Sequence, residues 1–323
     1  MGGWKAIQID GIHKLLNEIS SRESSDLLKK NNVDPSGKQL RLWKDLATRI
    51  IPLLDENNVH YTLMKAYDIP FAHMVDLDLL IEDKSDMIKT ISILKKENYE
   101  FQKLRFFYPF KLTASKPGAP IIVDLYHKPK WYDFTYAPKG YISSSSTPGR
   151  IHGVDAIIPS PELNIYLVAT HGYSHGRFTL EEILHLTNVV LKEKPDLLSL
   201  LPLARSFRTV HCLYSYMWLV RKILEKRFDY ENDELELFLA KLQKNSLTRY
   251  FRRWIEHFSP FQYHDFPVQI PFKMLAHAGI SKLPCNTLDP SVKRYDEIFI
   301  ALRHFFFSRF LYSQIGQMLE KSS

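Results

Sequence analysis

Asp76 and Asp78 stand one residue apart in the apolar run "MVDLDLLIED" (74–83), and a third acid, Asp124, interrupts "IIVDLYH" (121–127). Residues two apart on a strand share a face, so Asp76 and Asp78 point the same way. Unpaired carboxylates are costly in an apolar setting, and two side by side repel each other. A hard divalent cation, Mg²⁺ or Mn²⁺, takes oxygen ligands of this kind and removes both penalties. Three acids on neighbouring strands can hold two such ions, which clamp the attacking and leaving oxygens of a phosphoryl displacement. The plainer description of the same residues is a solvated or hydrogen-bonded pair at a strand edge.

The elements that would position these acids follow from hydrophobic spacing. Leu40, Trp43, Leu46, Ala47, Ile50, Ile51 and Leu54 repeat at three and four, which predicts a helix kinked or shortened by Pro52 and ended by Asn57-Asn58. "VHYTLMK" (59–65) reads as a strand, and 76–82 as the next. Asp83 or Ser85 then caps a helix whose face is Met87, Ile88, Ile91 and Leu94. Strand-like runs follow at 100–107, 109–114 and 120–127. "ISSSSTPG" (142–149) reads as a flexible joint, and "RIHGVDAIIP" (150–159) as a hairpin around Gly153. Beyond Ser160 the chain turns helical: 161–191, 203–228, 235–259 and 291–319. An earlier helical segment covers 4–31.

A helix, a strand ending in "LMK" and running into a loop ("LMKAYDIPF", 63–71), "DLDLL" (76–80), a second helix and a later "VDLYH" (123–127) resemble the DNA polymerase β-type nucleotidyltransferase superfamily. The likeness is nearer to its largely uncharacterised bacterial and archaeal families, and extends through "PSPELNIYLVATHGYSHGRFTLEEILHLTNVV" (159–190). It implies that Asp76 and Asp78 bind the catalytic metals and that Asp124 binds one of them while acting on the acceptor hydroxyl. It places Lys65 against the phosphates of a nucleoside triphosphate, as a point charge. Two positions depart from the pattern. Lys65-Ala66-Tyr67 replaces a turn that usually contains glycine, and Ala72-His73 stands where arginine is common, leaving a basic role to His73.

"HGYSH" (171–175) places His171 and His175 on one helix side. Gly172 occupies the position of the catalytic Glu in a His-Glu-x-x-His zinc protease, which removes that chemistry. Under the resemblance His171, His175 and Arg177 line the cleft; otherwise the histidines are packing residues. "RYFRRWIEHF" (249–258) and "RHFFFSRFLY" (303–312) interleave arginines with aromatics, either as a nucleic-acid surface or as the core stripe of amphipathic helices. Neither a Gly-rich phosphate loop nor a dinucleotide fingerprint nor a nucleophile elbow occurs.

The net charge of +7 is concentrated late: residues 241–323 hold 12 Lys+Arg against 6 Asp+Glu. That balance suits a polyanionic partner such as RNA or DNA, or is simply a solvated surface. Two cysteines are too few for a disulfide framework, and no apolar run reaches membrane-spanning length, so a cytoplasmic protein without a transmembrane segment is expected. The start "MGGWKAIQID" reads as neither a secretory signal nor, with Ala6, a myristoylation site. The expected organisation is α/β (α+β): an N-terminal helical segment (1–35), a small mixed-sheet nucleotidyltransferase core (36–147) and a mainly helical, basic C-terminal domain (148–323). The expected function is metal-dependent transfer of a nucleoside monophosphate from an NTP to a hydroxyl acceptor, a nucleic-acid end before a protein or small molecule. The alternative is a catalytically degenerate member of the fold that binds nucleic acid.

Overall fold

The computed structural model describes residues 37–243, apart from 66, 70–73, 102–110, 132–133, 176, 208 and 229, together with 264–265. The chain divides into two compact units, Met1–His264 and Asp265–Ser323, and the architecture below belongs to the first. The anticipated helices at 4–31 and 291–319, and both arginine-aromatic stretches, lie outside the described residues.

Helix α1 (Lys38–Glu56) buries all seven residues of the expected stripe. It does not stop at Pro52, which is exposed on the same side as Thr48. The proline removes the bond to the Thr48 carbonyl, and on that face water can take the freed oxygen. Five strands follow: β1 (Thr62–Met64), β2 (Asp76–Leu80), β3 (Glu100–Phe101), β4 (Lys111–Ser115) and β5 (Ile122–Tyr126). They form one sheet in the order β1-β2-β5-β4-β3. Only β2 and β5 run parallel, and the sheet is therefore mixed. Helix α2 (Lys84–Lys96) makes the crossover between β2 and the later strands, capped by the Asp83 side chain on the Ser85 and Asp86 amides.

The sheet has two chemically distinct faces. Leu63, Leu77, Leu79, Ala114, Val123 and Leu125 share one and are buried, with α1 packed on β2. The alternate positions form a polar face that includes Asp76, Asp78, Thr113 and Asp124. Period-two alternation therefore separates the core from the site.

Residues 142–149 are not a loose joint. They form a helical turn, α3 (Tyr141–Ser144), and the first part of β8 (Ser146–Ile151), after a short hairpin of β6 (Lys130–Trp131) and β7 (Phe134–Thr135). The serines act as hydrogen-bonding groups: Ser143 Oγ donates to Glu82 at 2.6 Å and Ser146 Oγ to the Ile142 carbonyl at 2.7 Å. β8 pairs with β9 (Val154–Pro159) through a turn in which His152 and Gly153 both have positive φ, 50° and 84°. That turn is the one favoured in two-residue hairpins. The hairpin packs on β1 and α1.

The expected continuous stretch 161–191 is two helices, α4 (Pro161–His175) and α5 (Leu180–Glu193). The second begins anew because Thr179 and Glu182 form a capping box. A short 3₁₀ turn (Leu197–Ser199), α6 (Leu200–Ser206), α7 (Val210–Phe228) and α8 (Asp233–Leu242) complete a helical layer in which α4, α5 and α7 pack on one another. No helix among the described residues is long and apolar enough to cross a membrane.

Candidate active site

Strand register assembles the three acids. Asp78 lies directly opposite Asp124 in the parallel β2–β5 pair, and Asp76 is two residues back on the same face. One oxygen of each carboxylate lies within 4.8 Å of the others. Asp124 is fully buried, Asp78 nearly so, and Asp76, first on β2, is partly exposed. Burial, and then the charge of Asp78, push the Asp76 carboxyl up to about 7, against the opposing pull of Lys65 and Lys111. Burial also raises Asp124. Asp78 Oδ1 is buried and has no hydrogen-bond partner among the described residues. A buried carboxylate oxygen left in that state, inside a set of hard oxygen donors, fits a divalent cation.

Two ammonium groups balance the acids. Lys65, just past β1, sets its Nζ 2.6 Å from Asp78 Oδ2, 3.2 Å from His171 Nε2 and 3.4 Å from the Tyr126 hydroxyl. An ammonium only donates, so Nε2 of His171 accepts and is unprotonated. Lys111 pairs with Asp124 Oδ2, and the Thr113 hydroxyl donates to Asp124 Oδ1 at 2.6 Å. Burial works against the Lys111 charge, but Asp124, Asp78 and Asp76 outweigh it and hold its pKa above the ordinary value.

Of the residues singled out from sequence, Asp76, Asp78, Asp124, Lys65 and His171 therefore meet in one cluster. His73 lies outside the described residues, as do the side chains of His175, at the end of α4, and Arg177, in a two-residue strand. Lys111 and Thr113 were not anticipated. Their signal was the alternation in "KLTAS" (111–115), which sets Lys111 and Thr113 on one strand face.

The family described as uncharacterised nucleotidyltransferase matches residues 14–225 of the 323, a range that includes the acid cluster and helices α1 to α7 almost to its end. The chain belongs to this family. No curated protein and no solved structure matches it.

In this nucleotidyltransferase-family chain the segment after β1 takes its shape from distant elements. Lys65 has a positive φ, 53°, where the superfamily resemblance implies a glycine-containing turn. A non-glycine residue there is strained by roughly 1 kcal/mol and persists only when its surroundings impose it. Three residues do so a short way along. His152 in the hairpin turn binds the Tyr67 carbonyl at 2.6 Å, and in α5 the Asn188 amide donates to the Asp68 carbonyl at 2.9 Å. The Asp68 amide donates to His185 Nδ1 at 3.0 Å. That contact fixes the tautomer: Nε2 carries the proton, directed at Asn164 Oδ1 3.3 Å away. Tyr67 further donates to Glu182 at 3.4 Å. Helix α5 and the β8–β9 turn thus hold Tyr67 and Asp68, just past Lys65.

The His185 contact carries a pH dependence. Burial drives the imidazole down to about 4, from an ordinary value of 6.5, with Asp68 opposing. A histidine depressed in the folded state contributes stability that is present above its unfolded pKa and lost as pH falls toward the folded one. Between pH 6.5 and about 4 the protein is expected to lose up to about 3 kcal/mol from this group. By NMR the His185 ring should titrate near pH 4, and the protection of the Asp68 amide relative to its intrinsic exchange rate should fall over the same titration; a midpoint above 6 refutes the assignment.

Proposed function

We propose that this chain transfers a nucleoside monophosphate from a nucleoside triphosphate to a hydroxyl acceptor. The observation that carries the reading is Asp78 Oδ1, buried without a partner among the described residues inside a convergent set of three carboxylates. Asp76, Asp78 and Asp124 would hold Mg²⁺ or Mn²⁺, which supplies Lewis-acid stabilisation of charge on the transferring phosphoryl group. The remaining work is positioning and charge. The acceptor oxygen bonds to the α-phosphorus as the bond from that phosphorus to the bridging oxygen breaks, and pyrophosphate leaves with the electron pair. Asp124 orients the acceptor hydroxyl or takes its proton. Lys65, held near the phosphates' expected position by α4 through His171, opposes their charge. The partly exposed Asp76 marks the open side from which substrate enters.

The excess of positive charge in residues 241–323 supports an RNA or DNA end as the acceptor. Division into a core up to residue 147 and a helical basic domain beyond it, in a cytoplasmic protein, accords with that reading. The two lysine–aspartate pairs favour a second reading, a silent member of the fold whose acids are permanently neutralised by its own ammoniums.

The test incubates the protein with each α-labelled NTP, Mg²⁺ or Mn²⁺, and pools of RNA, DNA and protein. Label should appear on one acceptor class and vanish in Asp78→Asn. Salt-sensitive nucleic-acid binding with no label on any acceptor, unchanged by Asp78→Asn, establishes the silent reading instead.

A further inference from the structure

Lys111 has no part in the chemistry above, yet its ammonium sits in the acid cluster on Asp124. The sheet order is β1-β2-β5-β4, with Lys65 directly after β1 and Lys111 first on β4. The two lysines therefore flank the acid-bearing strands β2 and β5 from opposite sides. Tyr126 on β5 is beside both: its ring centroid is 5.1 Å from Lys65 Nζ and 5.5 Å from Lys111 Nζ. A chain of phosphates laid across β2 and β5 would meet an ammonium at either end.

Electrostatics decides what Lys111 does when a cation arrives. Three carboxylates, when all are ionised, against two ammoniums leave the cluster with at most one net negative charge, close to neutral for a buried site. Asp124 Oδ1 is engaged by the Thr113 hydroxyl, and Oδ2 by Lys111. A hydroxyl can stay beside a metal-binding carboxylate, but an ammonium and a divalent cation on the same oxygen repel each other strongly at low dielectric. Lys111 is the more exposed of the two lysines. Lys65 is gripped by Asp78, His171 and Tyr126 with its side chain 9% exposed, whereas that of Lys111 is 16% exposed. The four-carbon stem lets the ammonium swing without a backbone change.

We infer that Lys111 is a triphosphate-binding residue, parked on Asp124 in the metal-free protein and turned to the phosphates of the incoming NTP once Asp124 is taken by a cation. The inference rests on the nucleotidyltransferase reading. One residue thus serves as counter-ion before loading and as substrate ligand after it. It also lowers metal affinity in the absence of nucleotide, so cation and NTP bind cooperatively.

The test uses the full chain and two binding equilibria rather than turnover. Lys111→Gln keeps a hydrogen-bond donor for Asp124 while removing the charge, so the buried carboxylate is not left bare. Mn²⁺ binding without nucleotide, followed by its electron paramagnetic resonance signal, should tighten by about threefold to tenfold in this variant. Binding of the α,β-methylene analogues of the four ribonucleoside triphosphates, with saturating Mn²⁺, should weaken at least about tenfold, the loss of one charge-assisted contact. Lys111→Arg should restore analogue binding to within about threefold. Opposite signs in the two equilibria are the signature, since a lysine that merely positioned Asp124 would weaken both. Analogue binding unchanged in Lys111→Gln, with wild-type binding intact, overturns the assignment and leaves the nucleotidyltransferase reading standing. A wild-type chain that binds Mn²⁺ but no analogue removes both.

Discussion

Asp76→Asn is expected to lower nucleotidyl transfer by at least about a thousandfold and, in the same protein without metal, to raise thermal stability above neutral pH. The two effects share one cause. Asp76 is crowded by Asp78 and Asp124, and burial with that crowding lifts its pKa to about 7. For a carboxyl raised in the folded state, the stabilising contribution is full below the unfolded pKa and disappears as pH rises through the folded value. From pH 4 to about 7 the metal-free fold therefore loses stability through this group, and an asparagine avoids the loss. Because the repulsion is shared with Asp78 and Asp124, the gain at pH 8 should be about 2 kcal/mol, or about 4 °C in melting temperature. Calorimetric melts of both proteins in chelator should coincide near pH 4 and diverge by pH 8. Added Mn²⁺ should stabilise the wild type at pH 8 and leave the variant nearly unmoved, because one charged ligand is gone. A variant that melts below the wild type at pH 8 refutes the crowding, and one that keeps normal turnover refutes the role of Asp76.

The acids were legible because strand alternation is local: two carboxylates two apart must share a face, and an acid in an apolar run needs a reason. Their meeting with Asp124 was not legible from spacing, since it depends on β2 and β5 pairing in parallel across a crossover. Lys111 and Thr113 escaped for a related reason. Their alternation was visible, but the register that sets Thr113 against Asp124 is a long-range pairing. His152, His185 and Asn188 left no motif at all, because they hold backbone groups of Tyr67 and Asp68, and a backbone partner imposes no residue type. The missing glycine beside Lys65 drew attention to Ala66, which lies outside the described residues, while Lys65 itself has a positive φ. Local rules misled at "ISSSSTPG", which reads as a flexible joint although hydrogen bonds to Glu82 and Ile142 order it. The helix that carries Pro52 runs on to Glu56 with Asn57 as its cap, where Asn57-Asn58 is expected to end it.

Gly172→Ala is the substitution expected to damage the fold most for the least change in size. In an ordinary helix this replacement is favourable by up to about 1 kcal/mol, since alanine restricts the unfolded chain. Here the added Cβ would fall 1.9 Å from the Tyr216 hydroxyl and 2.8 Å from both oxygens of Glu182. Tyr216 is fully buried, and its hydroxyl, at the end of a rigid ring, donates to Glu182 at 2.6 Å. Relief requires moving the ring into packed core or breaking that bond beside a buried carboxylate, whose other contacts include Tyr67 and the Thr179 amide. Overpacking therefore outweighs propensity, and a net loss of about 2–4 kcal/mol is expected. Since Glu182 also steadies Tyr67 beside the Lys65 turn, the KM for NTP should rise more than kcat falls. The double variant Gly172→Ala with Tyr216→Phe supplies the internal check. Deleting the hydroxyl removes the atom nearest the new methyl, so Gly172→Ala should be milder in the Tyr216→Phe background by more than about 1 kcal/mol. Equal costs in the two backgrounds, or a Gly172→Ala protein as stable as the wild type, would show that α4 and α7 do not approach as closely as described.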